Sequence, residues 1–382
     1  MTSSAEPALT VPSILHIFPS FGIGGAQRRT VDLANTILAD KRHVIVALDR
    51  DFSAASDLKA DVRHRLVSLG FKRSSRPDLD NLRTFRRLVA TYRPELLLTY
   101  NWGAIEAALA NRIAPLCPHL HFEDGFGPDE TPTRQLSRRV WARRLALSGK
   151  STIVVPSKTL LDLAKTSWRF RSTRLRYIPN GIDCHRYSNP AADDPRQPLR
   201  QDPDEILIGA IGTLRPEKNV ARLLRLVASV ESVQPVRLVI VGDGPERENL
   251  EALASDLSIA ERTLFVGHQR SPEEFLEQLD IFALTSDTEQ MPYCLIEAMA
   301  AGRAVIATDV GDVKSMLPEA NQAFVAAADD MPALTAQLKH LIEQPALRHR
   351  LGALNREHAQ QHFDRESMLT QYIDLFKNLL PA

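Results

Sequence analysis

The chain has 382 residues, too many for one typical core and enough for two domains of ordinary size. Its 44% hydrophobic and 25% charged content is that of a soluble globular protein, and three scattered cysteines exclude a disulfide framework or zinc site. The zero net charge hides a split, since residues 1–180 hold 28 Lys and Arg against 16 Asp and Glu, and the remainder 19 against 31. The two halves are therefore expected to face different partners.

Read in chain order, short apolar runs alternate with longer amphipathic ones. "SILHIF", "HVIVAL", "ELLLTY", "HLHF", "STIVVPS" and "RLRYIPN" predict strands in the first half, with helices over Ala26–Ala39, Leu79–Tyr92, Ala104–Ile113 and Gln135–Leu147. A polar, Pro-rich stretch, 185–205, reads as a linker. Beyond it, "ILIGAIGTL", "VRLVIVGDG", "TLFVG", "IFALTS" and "AVIATDVG" predict strands. Helices are expected over Asn219–Val230, Arg247–Leu257, Pro272–Leu279, Pro292–Ala301 and Pro332–Ile342, with terminal helices after the last strand. The pattern implies an α/β chain of two doubly wound, Rossmann-like domains, 1–184 and 206–364, with an interdomain cleft. The segment 365–382 is expected as a C-terminal helix packing back toward the first domain. No apolar run approaches the roughly 20 residues that span a bilayer. The N-terminal stretch lacks the basic start and long apolar region of a secretory signal, so a cytoplasmic protein is expected.

In such sheets ligands sit beyond the carboxyl ends of strands, and several unusual residues follow strands directly. Gly22, Gly24 and Gly25 follow the first strand and open a helix, where free N–H groups suit a phosphate or a sugar hydroxyl. A glycine turn that binds nothing is the alternative. Arg215 and Lys218 lie at a helix start, against the dipole preference, and a bound diphosphate would reverse that balance. Two solvated side chains are the plainer alternative. Glu297 is the lone charge in Met291–Gly302, a helix otherwise fit for a core. Its carboxylate must be paired if buried, or else face a ligand whose adjacent hydroxyls it accepts. Glu289, eight residues earlier, would sit close to the same ligand. Asp202–Asp204 forms a lone "DPD" in the linker, and no His, Asp and Glu cluster calls for a metal.

The stretch from Glu289 to Glu297 resembles the E-x7-E signature of retaining glycosyltransferases of family 4, which have the GT-B fold. "EQMPYCLIEAMAAGRAVIATDVGD" is similar to the block that carries it, and "GGAQR", "PNGID", "TLRPEKN" and "VGDGPE" resemble the family's other landmarks in order and spacing. The resemblance covers nearly the whole chain. It implies a hexosyltransferase that moves a sugar from a nucleotide-diphosphate sugar to a hydroxyl acceptor, without cofactor or metal, in glycan or glycolipid assembly. Glu297 would bind the donor's ribose, Glu289 the transferred sugar, and Lys218, with Arg215, the diphosphate. Gly24 and Gly25 would approach donor phosphate or acceptor, and Met291, Pro292 and Tyr293 would line donor sugar and phosphate. His121, ahead of His119, matches the family's cleft histidine. Glu123 and Asp124 follow the same strand and would orient His121 or bind acceptor hydroxyls, with a plain turn as the alternative. A double displacement with Glu289 or Asp124 as nucleophile is the secondary mechanism. Two departures stand out: Gln290 where the family has Gly, and Thr213 where it often has a phosphate-binding Arg. The rival readings are an epimerase or phosphorylase of the same fold, or a non-catalytic partner subunit.

No acidic residue occurs from Thr131 to Leu161, whereas Arg134, Arg138, Arg139, Arg143, Arg144 and Lys150 are basic. Helical spacing puts Arg138, Arg139 and Arg143 on one side, as in basic helices that bind anionic membranes. Expected partners are thus a donor, a hydroxyl acceptor such as a lipid-linked saccharide, and peripheral contact with an anionic leaflet, with no nucleic acid. An ordinary solvated helix is the alternative to that contact.

Overall fold

The computed structural model describes residues 13–71, 78–126, 130–131, 133–188, 199–232 and 234–380. Its contacts divide the chain into two compact units, one of residues 1–178 with 369–382 and one of 179–368.

The first unit is built on β1 (Ser13–Phe18), β2 (Arg42–Ala47), β3 (His64–Ser68), β4 (Leu96–Tyr100), β5 (His119–Phe122), β6 (Thr152–Val155) and β7 (Leu175–Tyr177). All pairings are parallel, in the order β3-β2-β1-β4-β5-β6-β7. Helices α1 (Gly25–Asn35), α2 (Leu79–Tyr92), α3 (Ile105–Ile113), α4 (Ser137–Ala146) and α5 (Lys158–Thr166) supply the crossovers. The α2 start was legible because Asp78 is its N-cap, accepting from the backbone N–H of Asp80 and Asn81. Strand β3, "HRLVS", was not expected. It is a mostly exposed edge with no apolar run to announce it. Strand order reverses between β1 and β4, which marks the carboxyl ends of those strands as the binding edge.

Polar side chains interrupt the central strands. His16 on β1 contacts Tyr100 Oη through Nδ1 at 3.1 Å and His43 Nδ1 through Nε2 at 3.0 Å, and His43 reaches the Leu38 carbonyl. Burial pushes both imidazoles down, His43 to about 4. A folded pKa below the unfolded value of about 6.5 gives stability that is complete above pH 6.5 and lost as pH falls through the folded value. His43 alone is expected to cost about 2 kcal/mol at pH 5 relative to pH 8. Urea unfolding at the two pH values checks this, and equal midpoints would contradict it.

The second unit carries β8 (Ile206–Ile211), β9 (Val236–Val241), β10 (Thr263–Gly267), β11 (Ile281–Leu284), β12 (Ala304–Thr308) and the two-residue β13 (Val325–Ala326). Their order is β10-β9-β8-β11-β12-β13, again parallel, with the reversal between β8 and β11. Its helices are α6 (Cys184–Ser188), α7 (Val220–Ser229), α8 (Arg247–Asp256), α9 (Glu273–Leu276) and α10 (Tyr293–Ala300). After β12 come α11 (Val313–Met316), α12 (Glu319–Gln322), α13 (Met331–Glu343), α14 (Pro345–His362) and α15 (Arg365–Lys377), the last ending in the first unit. The expected linker is structured at both ends. Residues 185–188 belong to α6, and buried Glu205 accepts from Arg237 Nε at 3.1 Å as β8 begins. Residues 189–198 lie outside the described residues. Asp202 Oδ1 accepts from the Asp204 N–H, so "DPD" closes a local turn. Among the described residues, no helix is long and apolar enough to cross a membrane.

Candidate active site

In the second unit, the loops leaving β8 and β11 meet at the switch point. Pro216–Lys218 forms a short 3-10 turn, and Asn219, at φ 43°, caps α7 by accepting from the Arg222 N–H. Lys218 Nζ donates to Glu289 Oε1 at 2.6 Å, and Ser286 Oγ donates to the same oxygen at 2.8 Å. Asp287 ties the loops together. Its N–H donates to the Glu217 carbonyl, and its carboxylate accepts from Asn219 and Arg222. Burial alone would lower the Lys218 pKa, but Glu289 first, then Cys294 and Glu217, more than reverse this and leave it raised. The ammonium is therefore charged at physiological pH. Burial pushes the adjacent Cys294 thiol up to about 12, so it is no nucleophile at neutral pH. A pocket beside this pair is lined by Gly212, Thr213, Leu214, Lys218, Thr285 and Ser286, among others.

Gly311, at φ 56°, passes so close that a Cβ would lie 2.1 Å from the Glu289 carbonyl oxygen. The Asp312 N–H donates to the Gln290 carbonyl, so the turn after β12 fixes the Glu289 loop from behind. Gln290 is buried and keeps a negative φ, so its replacement of glycine brings no backbone strain. Met291 is buried, and Asn180 Nδ2 donates to its carbonyl at 2.9 Å. Pro292 is the N-cap of α10, with Tyr293 its first residue. Glu297, 3% exposed, accepts from Tyr187 Oη at 2.9 Å. The lone carboxylate of that helix is thus buried and paired, as electrostatics demands. Arg215 lies exposed just before the 3-10 turn.

In the first unit, Gly24 and Gly25 are exposed at the start of α1, a helix with no acidic residue in its first turn. At the end of β4, Asn101 holds φ 54°, and its Oδ1 accepts from the Asp124 N–H at 2.7 Å. Asp124 is bound by both oxygens to Arg29 of α1, at 2.6 and 2.9 Å. That pairing ties Asp124 to α1 and engages both of its carboxylate oxygens. His121 is fully buried, Nδ1 against Thr99 Oγ1 at 2.8 Å and Nε2 against Glu123 Oε2 at 3.3 Å. It is not exposed to a ligand as the cleft-histidine expectation required. Glu123 has no exposed surface either. Burial would raise its pKa, but Arg143 and His121 outweigh that and hold it low.

The expected basic stripe is also corrected. Arg143 is 0% exposed, ion-paired to Glu123 and Glu130 and packed over Trp102 and Trp168. Arg139 pairs with Glu130. Of the expected stripe, Arg139 and Arg143 turn inward to Glu123 and Glu130, which come from outside the local window, and Arg138 alone stays exposed.

Residues 23–186 match the model of Glycosyltransferase Family 4, and residues 192–358 that of Glycosyl transferases group 1. The chain belongs to glycosyltransferase family 4. The Rhizobium meliloti lipopolysaccharide core biosynthesis glycosyltransferase LpsD is 31% identical over 50% of this chain and 54% of its own. The Bacillus anthracis N-acetyl-alpha-D-glucosaminyl L-malate synthase is 29% identical over 46% of each chain. The matched stretch thus spans about half the length of these curated relatives. Anabaena HepE, solved in complex with UDP-glucose, aligns with a TM-score of 0.78 over 96% of this chain and 100% of its own, at 19% identity. Among such neighbours the fold is GT-B.

In this family 4 chain, the E-x7-E pair divides between a loop and a helix. Glu289 is tied to Lys218, and Glu297 is tied to Tyr187. Sequence reasoning missed Tyr187, Ser286, Asn180 and Arg29 as partners of the site residues. "PNGID" and "GGAQR" flagged two of those neighbourhoods, but the pairings of Arg29, Asn180 and Tyr187 run across 95 to 111 residues and have no local signature, and Ser286, three residues from Glu289, is an unmarked serine.

Proposed function

We propose that the protein is a retaining hexosyltransferase that moves a sugar from a nucleotide-diphosphate sugar to a hydroxyl acceptor. The observation that carries this reading is the Lys218–Glu289 contact of 2.6 Å beside the switch-point pocket, with Glu297 on the adjoining helix. A persistent ammonium there offsets charge growing on a departing diphosphate, and a carboxylate beside it orients sugar hydroxyls. Glu297 serves the ribose, Arg215 adds to the diphosphate clamp, and Met291, Pro292 and Tyr293 line the donor. Gly24 and Gly25 approach donor phosphate or acceptor. His121 and Asp124 position the carboxyl edge of the first sheet. The leaving phosphate takes the acceptor's proton on the same face, so neither a metal nor a cofactor is required.

The acceptor proposed is a lipid-linked saccharide at the inner face of the cytoplasmic membrane, in line with the part LpsD plays in lipopolysaccharide core biosynthesis. Nucleoside diphosphate should be released only when acceptor is present, which separates transfer from epimerase, phosphorylase and non-catalytic readings. The product should keep the donor's anomeric configuration, and EDTA should leave turnover intact. An inverted product by NMR would defeat the retaining assignment, and strict dependence on a divalent ion would defeat the metal-free one.

A further inference from the structure

With Arg139 and Arg143 facing inward, the outward side of α4 presents Trp141 and Leu145, 68% and 58% exposed. At the end of α3, which packs against α4, and just after it stand Ile113 and Leu116, 62% and 49% exposed. Four large apolar side chains exposed on two packed helices and their ends are unusual on a soluble surface. Arginines border them. Arg144 lies 5.2 Å from the Trp141 ring, and Arg112 Nε donates to Ser148 Oγ at 2.8 Å, joining the ends of α3 and α4. Next to these ends opens a cavity of about 450 Å³ whose lining includes Arg144, Arg169, Arg171 and Arg174.

The three segments that build this face, 107–122, 131–161 and 163–182, contain no Asp or Glu. The cations of this face therefore have few acidic neighbours in the chain, Asp162 between two of the segments being one. Arg174 shows the strain, its pKa lowered by burial and then by Arg171 and Arg112. Its guanidinium is held in place by the Leu147 and Ser151 carbonyls. The face lies at the amino ends of β5, β6 and β7, the edge of the sheet opposite Gly24, Gly25 and Asp124.

We propose that this face docks on an anionic phospholipid surface, with headgroup phosphates in the arginine cavity and Trp141, Leu145, Ile113 and Leu116 entering the interface. A soluble phosphate or polyanion would satisfy the arginines but would leave the four apolar side chains in water. A lipid surface satisfies both, since aromatic and aliphatic side chains flanked by cations gain from the headgroup boundary. This deepens the peripheral contact proposed above and rests on that reading for its setting. The binding itself requires neither donor nor acceptor.

The test is sedimentation of the full chain with vesicles of phosphatidylcholine, with and without phosphatidylglycerol at 30%. Binding should need phosphatidylglycerol and fall as salt shortens the screening length. The exposed triple variant R112Q/R169Q/R171Q should lower the partition coefficient by about 100-fold, from roughly 1 kcal/mol per basic residue. The variant W141S/L145S should lower it by about tenfold or more while keeping the salt dependence. Thermal unfolding and nucleotide-sugar binding of both variants should match the parent chain, which separates loss of docking from loss of fold or of the donor site. Equal binding to pure phosphatidylcholine, or no binding to acidic vesicles, overturns the proposal. So does full competition by inorganic polyphosphate with no effect of W141S/L145S, which would assign the cavity to a soluble anion. Failure here leaves the transferase reading standing, because nucleoside diphosphate release is measured without vesicles.

Discussion

Replacing Lys218 or Glu297 with alanine is expected to weaken nucleotide-sugar binding by about 2–5 kcal/mol while the fold persists. Lys218 sits on a turn between β8 and α7, part-exposed, and its removal opens no core cavity. What it removes is the cation opposite Glu289, so Glu289 would keep Ser286 but lose its charge partner. A diphosphate arriving at this site would then meet an unshielded carboxylate. Both effects act against the donor. Arginine at 218 should recover binding only in part, because its planar fork cannot occupy the place of a compact ammonium 2.6 Å from Glu289. For Glu297 the argument differs. The carboxylate is buried and accepts a hydrogen bond from Tyr187, and its two oxygens carry lone pairs enough to accept from a pair of ribose hydroxyls as well. Glutamine keeps volume and an acceptor for Tyr187, so Glu297→Gln should retain stability better than Glu297→Ala while still losing affinity. Titration calorimetry with the donor identified by a thermal-shift screen measures all four variants. Donor affinity unchanged in both alanine variants would remove the site from this pocket.

Much of the architecture was legible because buried parallel strands are apolar from end to end. "SILHIF", "ELLLTY", "VRLVIV" and "AVIAT" announce themselves by composition, and Asp78 and Pro292 mark helix starts within a residue or two. What stayed hidden has a common physical origin. Strand β3 is held by pairing to β2, not by its own apolar content, and β13 is two residues long. The helix α5 is only nine residues long and follows directly on β6, so its apolar stripe is too short to stand out, although Ser157 caps it. In the site, Glu289, Glu297 and Lys218 were marked by their own oddness, a charge where the local pattern calls for none. Tyr187 and Ser286 are ordinary residues in ordinary places and acquire meaning only from the carboxylates they face. The direction in which α4 turns its arginines could not be read from spacing, since periodicity defines a stripe without saying which side is inside. The inward face was decided by two glutamates, one beyond β5 and one at Glu130.

That inward stripe leads to the largest expected effect on stability. Arg143 is fully buried, donating to Glu123 through Nε and Nη2 and to Glu130 through both Nη atoms, at 3.2 to 3.4 Å. Trp102 and Trp168 cover the guanidinium at 5.2 and 4.9 Å. Arg143→Ala would leave two buried carboxylates facing a void, and removal of one partner from such a group costs about 3–5 kcal/mol. The exposed neighbour Arg138 serves as the control, with an expected change within about 0.5 kcal/mol. The pH dependence gives the mechanism its own signature. In the parent chain Glu123 has a depressed folded pKa, so its contribution is complete above the unfolded value of about 4.3 and lost as pH falls through the folded one. Without Arg143, burial dominates and Glu123 takes up a proton at higher pH, which relieves the uncompensated charge. The destabilisation should therefore be greatest near pH 8 and shrink toward pH 5. Urea unfolding of parent, Arg143→Ala and Arg138→Ala across that range measures both predictions. A loss no larger than that of Arg138→Ala, or one that grows as pH falls, would show that the buried network does not hold α4 against β5.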